Sequence, residues 1–274
     1  MTRIELVISD VDGTLVTSDK RLTDRSVQAV KLLHRHGIGF SIVSSRPPMG
    51  MRMLIEPLAP TLPIGAFSGG AIVSPHLHVI EQHVISEWAA RRAIEIMQKF
   101  AADIWLYTSD TWYARKADGD YVPREKRTIQ ADPVVIPDFG PHLAEACKIV
   151  GSSKNFARLA ECETAAREGL RGQASVARSQ SYYLDVTPPG VNKGTFLTTL
   201  SRRLGIQSRS IAVMGDMGND LAMFAEAGLS IAMGNASDEV KRRATHVTAS
   251  NDDDGFAQAV ERYILGSDGA SKIA

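Results

Sequence analysis

The sequence LVISDVDGTLV, residues 6–16, carries an apolar stretch directly into two aspartates, Asp10 and Asp12. Residues 3–10 predict a strand that is buried on both faces, as in a parallel sheet covered by helices. Two carboxylates at the end of such a strand repel each other unless a cation compensates them. The stretch therefore predicts an α/β sheet and, at one edge of that sheet, a polar site.

Composition and charge exclude several classes of protein. The chain has 274 residues, of which 44% are hydrophobic and 23% charged, as expected for a soluble globular protein of one large or two modest domains. Lys+Arg and Asp+Glu balance at 31 each, so we expect neither nucleic acid nor a membrane as partner. Two cysteines outside any CxxC pattern, together with an N-terminus that lacks the apolar core of a signal peptide, indicate a cytoplasmic protein.

The order of the predicted elements indicates one domain interrupted by another. Strand and helix alternate from residue 3 to residue 74, with strands predicted at 3–10 and 38–47 and a third strand-like stretch with a glycine turn at 63–74. The alternation returns after Pro188-Pro189-Gly190 and continues to the C-terminal region. Between the two parts, helical stretches mix with short strands.

The predicted fold class is accordingly α/β. A Rossmann-like open parallel sheet core comprises residues 1–82 and 184–274, and an α+β cap domain is inserted at residues 83–183.

Polar residues follow three of the predicted core strands. The carboxyl ends of parallel strands lie at one edge of a sheet, where ligands bind, so we expect these residues to converge. They are Asp10 and Asp12 after the first strand, Ser44, Ser45 and Arg46 after the second, and Asp216, Asn219 and Asp220 after the strand at 210–215, joined by Lys193 at a predicted helix start.

Such a group of residues has a definite chemistry. Clustered carboxylates with few other donors suit Mg²⁺, which shares phosphate oxygens with its substrate. A lysine and a hydroxyl complement phosphate oxygens or developing negative charge. One carboxylate can then attack phosphorus to form an aspartyl-phosphate, and a second can protonate the leaving oxygen and later activate water.

Each part of the pattern also has an ordinary structural explanation. Asp10 and Asp12 could form a turn or cap a helix, Ser44 and Ser45 could simply end a strand, and Lys193 could lie on the surface. The functional prediction depends on all of them occurring together and in this order.

Four motifs in that order resemble the haloacid dehalogenase-like superfamily. The first, DxDGT, is DVDGT at residues 10–14, and the second is a hydroxyl after an apolar strand, here Ser44. The third is a lysine, here Lys193, and the fourth, GDxxND, is GDMGND at residues 215–220. The cap between the second and third motifs resembles the Cof-type phosphatase branch, whose type IIB cap has this position.

The resemblance implies a role for each catalytic residue. Asp10 is the nucleophile and a Mg²⁺ ligand, and Asp12 is the general acid/base and binds the metal through its backbone carbonyl. Ser44 donates a hydrogen bond to the phosphoryl group, and Lys193 offsets the charge of Asp10 and the phosphate.

The resemblance also implies the other metal and substrate contacts. Asp216 ligates Mg²⁺ directly, and Asp220 supports the metal directly or through water. The expected phosphate or substrate contacts are Gly13, Ser45, Arg46, Asn192 and Asn219, with Arg46 as either a ligand of a distal phosphate or sugar group or a partner in a structural salt bridge.

The sequence departs from the branch at two places. The second motif commonly has Thr-Gly-Arg, and here it is Ser44-Ser45-Arg46. The third strand is commonly followed by Asn-Gly, and here Ser68-Gly69-Gly70 follows it. The first departure implies a different loop shape, although Ser44 keeps the hydroxyl, and the second weakens the assignment of substrate contacts after the third strand.

The resulting prediction is a Mg²⁺-dependent phosphatase that acts on a small phosphorylated metabolite, with a sugar phosphate favoured, as a monomer or homodimer. The first alternative is a phosphomutase with the same aspartyl-phosphate. The second is a non-enzymatic phospho-receiver or phosphate-binding protein, although such modules are shorter and have no use for Asp12 as an acid.

Overall fold

The structure is a computed structural model that describes residues 3–266. Its strands, in chain order, are β1 Leu6–Ser9, β2 Gly39–Ile42, β3 Ile64–Ala66, β4 Ala71–Val73, β5 Val79–Gln82, β6 Asp103–Tyr107, β7 Trp112–Ala114, β8 Val134–Val135, β9 Lys148–Ser152, β10 Ser175–Gln180, β11 Tyr183–Thr187, β12 Ile211–Gly215, β13 Leu229–Ala232 and β14 His246–Val247. Its α-helices are α1 Asp24–Arg35, α2 Arg52–Leu58, α3 Glu87–Lys99, α4 Val122–Ile129, α5 Phe156–Gly169, α6 Lys193–Leu204, α7 Leu221–Glu226, α8 Asp238–Arg243 and α9 Gly255–Ala259.

Five parallel strands form the core sheet, in the order β14-β13-β12-β1-β2. β1 lies between β12 and β2 and is fully buried on both faces, as its sequence predicts. Val7 packs with Val30 of α1 and Phe256 of α9, whereas Ile8 packs on the other face with Phe196 of α6. Burying such side chains supplies about 1.5–3 kcal/mol each, so helices on both faces hold the central strands rigidly.

The third predicted strand does not join the core sheet. Residues 63–74 form β3 and β4 instead, which pair antiparallel with each other, and β4 pairs in turn with β5. The reason is a tight turn in which Phe67, Ser68 and Gly69 all have positive φ, which reverses the chain. A parallel bridge between Val43 and Gly65, with backbone hydrogen bonds from Ser44 N–H to Gly65 and from Phe67 N–H to Arg46, connects this hairpin to the chain just beyond β2.

Six strands form a second sheet, the cap sheet, in the order β10-β11-β9-β6-β7-β8. One face packs on α3 and α5 through residues such as Ile104, Leu184 and Val186. The opposite face carries Trp105 and Tyr183, which belong to the same apolar cluster as core residues such as Val7 of β1 and Val30 of α1. The cap sheet therefore turns one face to its own helices and the other to the core.

The cap sheet lies between the predicted core segments. Its last strand, β11, extends to Thr187 and crosses the predicted boundary at residue 183, because its pairing with β9 and β10 continues past that residue. We propose to keep the division into core and inserted cap, with the second boundary after Thr187. Within residues 3–266, no helix combines the length and apolarity needed to cross a membrane.

Candidate active site

The carboxyl ends of three neighbouring core strands meet at one point. β1 pairs in parallel with β12 on one side and with β2 on the other. Asp10 follows β1, Asp216 follows β12, and Ser44 lies just beyond β2, so the sheet brings together residues that are far apart in sequence. This is the convergence that the strand order predicts.

Lys193 connects two of the carboxylates. Its Nζ lies 2.5 Å from Asp10 Oδ1 and 2.6 Å from Asp220 Oδ1, and its side chain is only 2% exposed. Lys193 is the first residue of α6, and Asn192 caps that helix by accepting a hydrogen bond from the backbone N–H of Thr195. Asn192, a predicted phosphate contact, therefore has a structural role: it fixes the start of α6 and with it the position of Lys193.

Three buried carboxylates could hold a metal ion. One oxygen each from Asp10, Asp216 and Asp220 lies within 4.8 Å of the others. The oxygens of Asp220 are already used, because Oδ1 accepts from Lys193 and Oδ2 accepts from the backbone N–H groups of Asp216 and Met217. The all-oxygen donor set suits a hard divalent cation, and the oxygens of Asp10 and Asp216 accept fewer short hydrogen bonds than those of Asp220.

The electrostatics of this cluster favour a cation. Burial, together with Asp220, raises the pKa of Asp10 to about 7. Burial and the neighbouring Asp10 and Asp220 raise the pKa of Asp216 to about 8. Burial alone would lower the pKa of Lys193, but Asp10 and Asp220 raise it, so the lysine stays charged. One lysine does not balance three carboxylates, and a bound cation would ionise them fully.

Asp12 has a different environment, although it is only two residues from Asp10. Its carboxylate accepts from Arg46 Nε at 2.7 Å and Arg46 Nη2 at 2.8 Å, and Lys20 Nζ lies 2.6 Å away. Burial would raise the pKa of Asp12, but Arg46 and Lys20 hold it well below its usual range. The Asp12 side chain is therefore a carboxylate that lies outside the metal group; its backbone carbonyl as a metal ligand stays a prediction.

Arg46 forms the structural salt bridge that was one of its two predicted roles. Four of its five N–H groups are used, two on Asp12 and two on the backbone carbonyls of Gly50 and Thr128. Thr128 belongs to α4, which follows β7 of the cap sheet in sequence, so Arg46 links that helix to Asp12. Among residues 3–266, one N–H of Arg46 is left without an acceptor and could reach a substrate.

The two serines of the second motif face different partners. Ser44 is buried, and its Oγ accepts from the backbone N–H of Arg46 at 3.2 Å, so its own hydroxyl proton is free to be donated to a ligand. Ser45 offers its backbone carbonyl, which accepts from Lys148 Nζ of β9 at 3.0 Å. The loop is thus tied to the cap sheet at the residue that replaces the usual glycine.

Residues that the sequence analysis did not assign hold Asp216 in place. Asn235 Nδ2 donates to the carbonyl of Gly13 at 2.9 Å and to Asp216 Oδ2 at 3.3 Å, and the Thr14 hydroxyl lies 3.3 Å from Asp216 Oδ1. A Cβ at Gly13 would lie 2.3 Å from Asp216 Oδ2, and φ there is +84°. Gly13 is therefore needed so that the chain can turn close to that carboxylate.

A cavity of about 240 Å³ opens from the phosphoryl end of the site toward the cap sheet. Lys193 and Asn219 line its core side, and Ser179 and Asp185 line its cap side. Asn219 Oδ1 is buried and has no hydrogen-bond partner among residues 3–266. Asn219 is thus placed beside Lys193, where the sequence predicts a phosphoryl or orienting contact, and that contact stays a prediction.

Comparisons with known proteins agree with this geometry. The model of the haloacid dehalogenase-like hydrolase family matches residues 7–260. A relative from Haemophilus influenzae is 30% identical over 93% of this chain and 96% of its own. The 5-amino-6-(5-phospho-D-ribitylamino)uracil phosphatase of Bacillus subtilis is 24% identical over 96% of each chain. The crystal structure of a haloacid dehalogenase-like hydrolase from Bacteroides thetaiotaomicron matches with a TM-score of 0.84 at 27% identity, covering 95% of this chain and 99% of that one.

Proposed function

The chain belongs to the haloacid dehalogenase-like hydrolase family and is a phosphatase, and from this premise we propose that it hydrolyses sugar phosphates with Mg²⁺ through an aspartyl-phosphate. The observation that carries the proposal is the position of Lys193. It holds Asp10 and Asp220 together at the end of β1, beside Asp216. The same arrangement suits both a nucleophilic carboxylate and a cation.

In the first step, Asp10 attacks phosphorus. A bond forms between an Asp10 carboxylate oxygen and phosphorus, and the bond from phosphorus to the leaving oxygen breaks. Lys193 offsets the charge of Asp10 and of the phosphoryl group, and the free Ser44 hydroxyl proton is available to a phosphoryl oxygen. Both groups are buried and fixed, so little reorganisation is needed during the reaction.

Asp12 handles the proton in both steps. The leaving oxygen takes a proton from Asp12, and in the second step Asp12 accepts a proton from the water that attacks the aspartyl-phosphate. Arg46 and Lys20 keep Asp12 ionised in this structure, which is the form that the second step requires. The first step requires protonated Asp12, and the negative charge of a bound phosphomonoester would raise its pKa in that direction.

Mg²⁺ is the cofactor we propose for the carboxylate cluster. Asp10 and Asp216 would ligate it, with Asp220 holding the backbone N–H groups of Asp216 and Met217 in place. When bound, the cation supplies positive charge to the phosphoryl oxygens and keeps both ligands ionised.

A sugar phosphate is the substrate class that we favour. The Bacillus subtilis relative acts on a compound whose phosphate sits on a ribityl chain, which is a polyol. The residues that line the cavity beside Lys193 include Ser68, Ser175, Ser179 and Thr187, whose hydroxyl groups suit a polar leaving group. We also propose a cytoplasmic location, with which the free thiols of Cys147 and Cys162 agree.

A phosphatase screen tests the proposal. The purified protein is stripped of metal with EDTA and assayed with p-nitrophenyl phosphate and a panel of sugar, nucleotide and cofactor phosphates, with and without Mg²⁺. We expect hydrolysis that requires Mg²⁺ and is fastest with a sugar phosphate. Hydrolysis of none of these compounds would contradict the proposed activity, and full activity in EDTA would contradict the cofactor.

A further inference from the structure

The cavity beside Lys193 carries information about the leaving group. It occupies about 240 Å³, below the roughly 300 Å³ at which pockets for drug-sized ligands begin, so it suits a small molecule. The cavity adjoins the phosphoryl end, because Lys193 lines it and donates a hydrogen bond to Asp10. A group attached to the phosphate can therefore extend into it.

Asp185 on β11 is the one carboxylate among the residues that line this cavity. Its neighbours Leu184 and Val186 pack against the cap helices, so the alternation of the strand turns Asp185 the other way. The residue is 6% exposed. Its Oδ2 lies 2.8 Å from Lys148 Nζ, whereas its Oδ1 is buried without a hydrogen-bond partner in the described part of the chain, residues 3–266.

Lys148 fixes Asp185 relative to the phosphoryl end. The same Nζ that binds Asp185 also donates to the backbone carbonyl of Ser45, next to Ser44. The cap carboxylate is thereby connected to the loop that faces the phosphoryl group. A buried acceptor that is held rigidly but left without a donor is costly unless a ligand completes it.

The charges around Asp185 select the kind of donor. Lys148 forms an ion pair with Asp185, and burial raises the pKa of Glu125, the second carboxylate near Lys148. Lys193 lines the same cavity, so an ammonium group would add an uncompensated buried charge. A neutral hydroxyl donor adds none. The adjoining hydroxyls of Ser175, Ser179 and Thr187 can accept or donate further hydrogen bonds to the same molecule.

We infer that Asp185 is a specificity-determining residue: its free Oδ1 accepts a hydrogen bond from a hydroxyl of a small polyol leaving group that occupies the cavity. The inference rests on the proposed function, because the phosphate of the substrate must lie at Lys193 and Asp10. To the proposed function the inference adds two things. Asp185 is the residue that selects the leaving group, and a hydroxyl is the hydrogen-bond donor that the substrate must carry.

The test compares substrates with and without hydroxyls. Hexitol and pentitol phosphates are assayed against hexyl and pentyl phosphate, in the wild type and in Asp185→Asn. The wild type should favour the polyol phosphate in kcat/KM. In the variant, Lys148 would bind the amide oxygen and leave an NH2 donor where the charged acceptor stood, so that preference should fall about 10- to 100-fold, mainly through KM.

The matched control is Glu163→Gln. Glu163 is a cap carboxylate in ion pairs with Arg167 and Arg178, and it is absent from the lining of this cavity. This variant should keep the wild-type preference. A second measurement does not depend on how Asp185→Asn folds: with the wild type, single-deoxy polyol phosphates should include one whose kcat/KM is at least about tenfold lower.

Three results would overturn the inference. They are a wild type without preference for hydroxylated substrates, an equal loss on polyol and alkyl phosphates in Asp185→Asn, and a deoxy series in which no single hydroxyl matters. In these cases p-nitrophenyl phosphate is still hydrolysed, so the proposed phosphatase activity stands, although the first result would also contradict the proposed sugar-phosphate substrate. Failure to hydrolyse any phosphomonoester would overturn both.

Discussion

The phosphoryl end of the site and the cap cavity balance their charges in different ways. At the phosphoryl end, Lys193 faces the clustered carboxylates of Asp10, Asp216 and Asp220, which leaves an excess of negative charge. Beside the cap cavity, Lys148 forms an ion pair with Asp185, and the other carboxylate oxygen of Asp185 has no hydrogen-bond partner within residues 3–266. The first arrangement calls for a cation, whereas the second calls for a neutral hydrogen-bond donor.

This difference implies that the phosphoryl end carries out catalysis, whereas the cap cavity selects the substrate. Changes at the phosphoryl end should affect every substrate and the stability of the protein as well. Changes in the cap cavity should affect substrates according to their hydroxyl groups. The predictions below, ordered from the largest expected effect to the smallest, test this separation.

The largest effect is expected from Asp10→Asn. The amide cannot act as the nucleophile, so kcat should fall at least about 1000-fold for sugar phosphates and p-nitrophenyl phosphate alike. Circular dichroism should show an unchanged fold, because the substitution keeps the shape of the side chain. Turnover near the wild-type rate would show that Asp10 is not the nucleophile.

Lys193→Met should affect both catalysis and stability. It leaves Asp10 and Asp220 buried without their cation, and breaking a buried pair in this way costs about 3–5 kcal/mol. Urea unfolding monitored by circular dichroism measures this loss. Lys154→Met removes an exposed ion pair with Asp120 and serves as the control, which should unfold nearly as the wild type does. Equal midpoints for both variants would contradict the role of Lys193.

Metal-free protein should become less stable as the pH rises. The pKa values of Asp10, about 7, and Asp216, about 8, lie above the 3.8 of an unperturbed aspartate, so the folded state retains protons that the unfolded chain has lost. The free energy of unfolding should therefore fall by a few kcal/mol between about pH 4 and about pH 8.

Urea unfolding in EDTA across this pH range measures the effect. Asp216→Asn removes one of the two groups and should flatten the dependence. Mg²⁺ should stabilise the wild type more at about pH 8 than at about pH 5, because it binds the ionised carboxylates. A wild type whose free energy of unfolding rises steadily over this range would show that ionising the buried carboxylates does not destabilise the folded protein.

The smallest effect is expected in the cap cavity, from Thr187→Val. This substitution removes one lining hydroxyl while keeping the volume of the side chain. The preference for a hexitol phosphate over hexyl phosphate should fall by a factor of about 2 to 10, the equivalent of one ordinary hydrogen bond. Steady-state kinetics on the two substrates measures it, and a larger loss on hexyl phosphate would contradict the polar character of this wall.

The phosphoryl end could be predicted from the sequence because its residues follow strand ends. Asp10, Ser44 and Asp216 come directly after apolar strands, and a parallel sheet brings such ends together whatever lies between them. The family match and the structural match confirm the α/β fold and the family. The roles of the individual residues stay predictions until they are tested.

The supporting residues could not be assigned in the same way. Lys20 and Asn235 lie in ordinary polar loops, and their contacts with Asp12 and Asp216 depend on how those loops fold back over the site. The third predicted stretch was wrong in its sheet: its glycines indicated a turn, but its apolar pattern does not reveal that the reversal at Phe67 and Ser68 pairs β4 antiparallel with β3 in a separate sheet.

The cap cavity had a signal that could have been used. Lys148 and Asp185 are charged residues within strands that are otherwise apolar, and such residues are rarely buried without a partner. Their pairing could not be deduced, however, because it depends on the register of β9 against β11. Specificity is therefore the part of the function for which the three-dimensional structure was needed.

The central claim is that the phosphoryl group passes through Asp10. The most direct test is an acid quench of the enzyme during turnover of p-nitrophenyl phosphate, followed by peptide mapping with mass spectrometry, in the wild type and in Asp12→Ala, where loss of the base slows the second step. We expect a phosphoryl group on the peptide that carries Asp10, at higher occupancy in the variant and absent from Asp10→Asn. A phosphoryl group on any other residue, or no phosphoryl-enzyme in an Asp12→Ala variant that still turns over, would contradict the account.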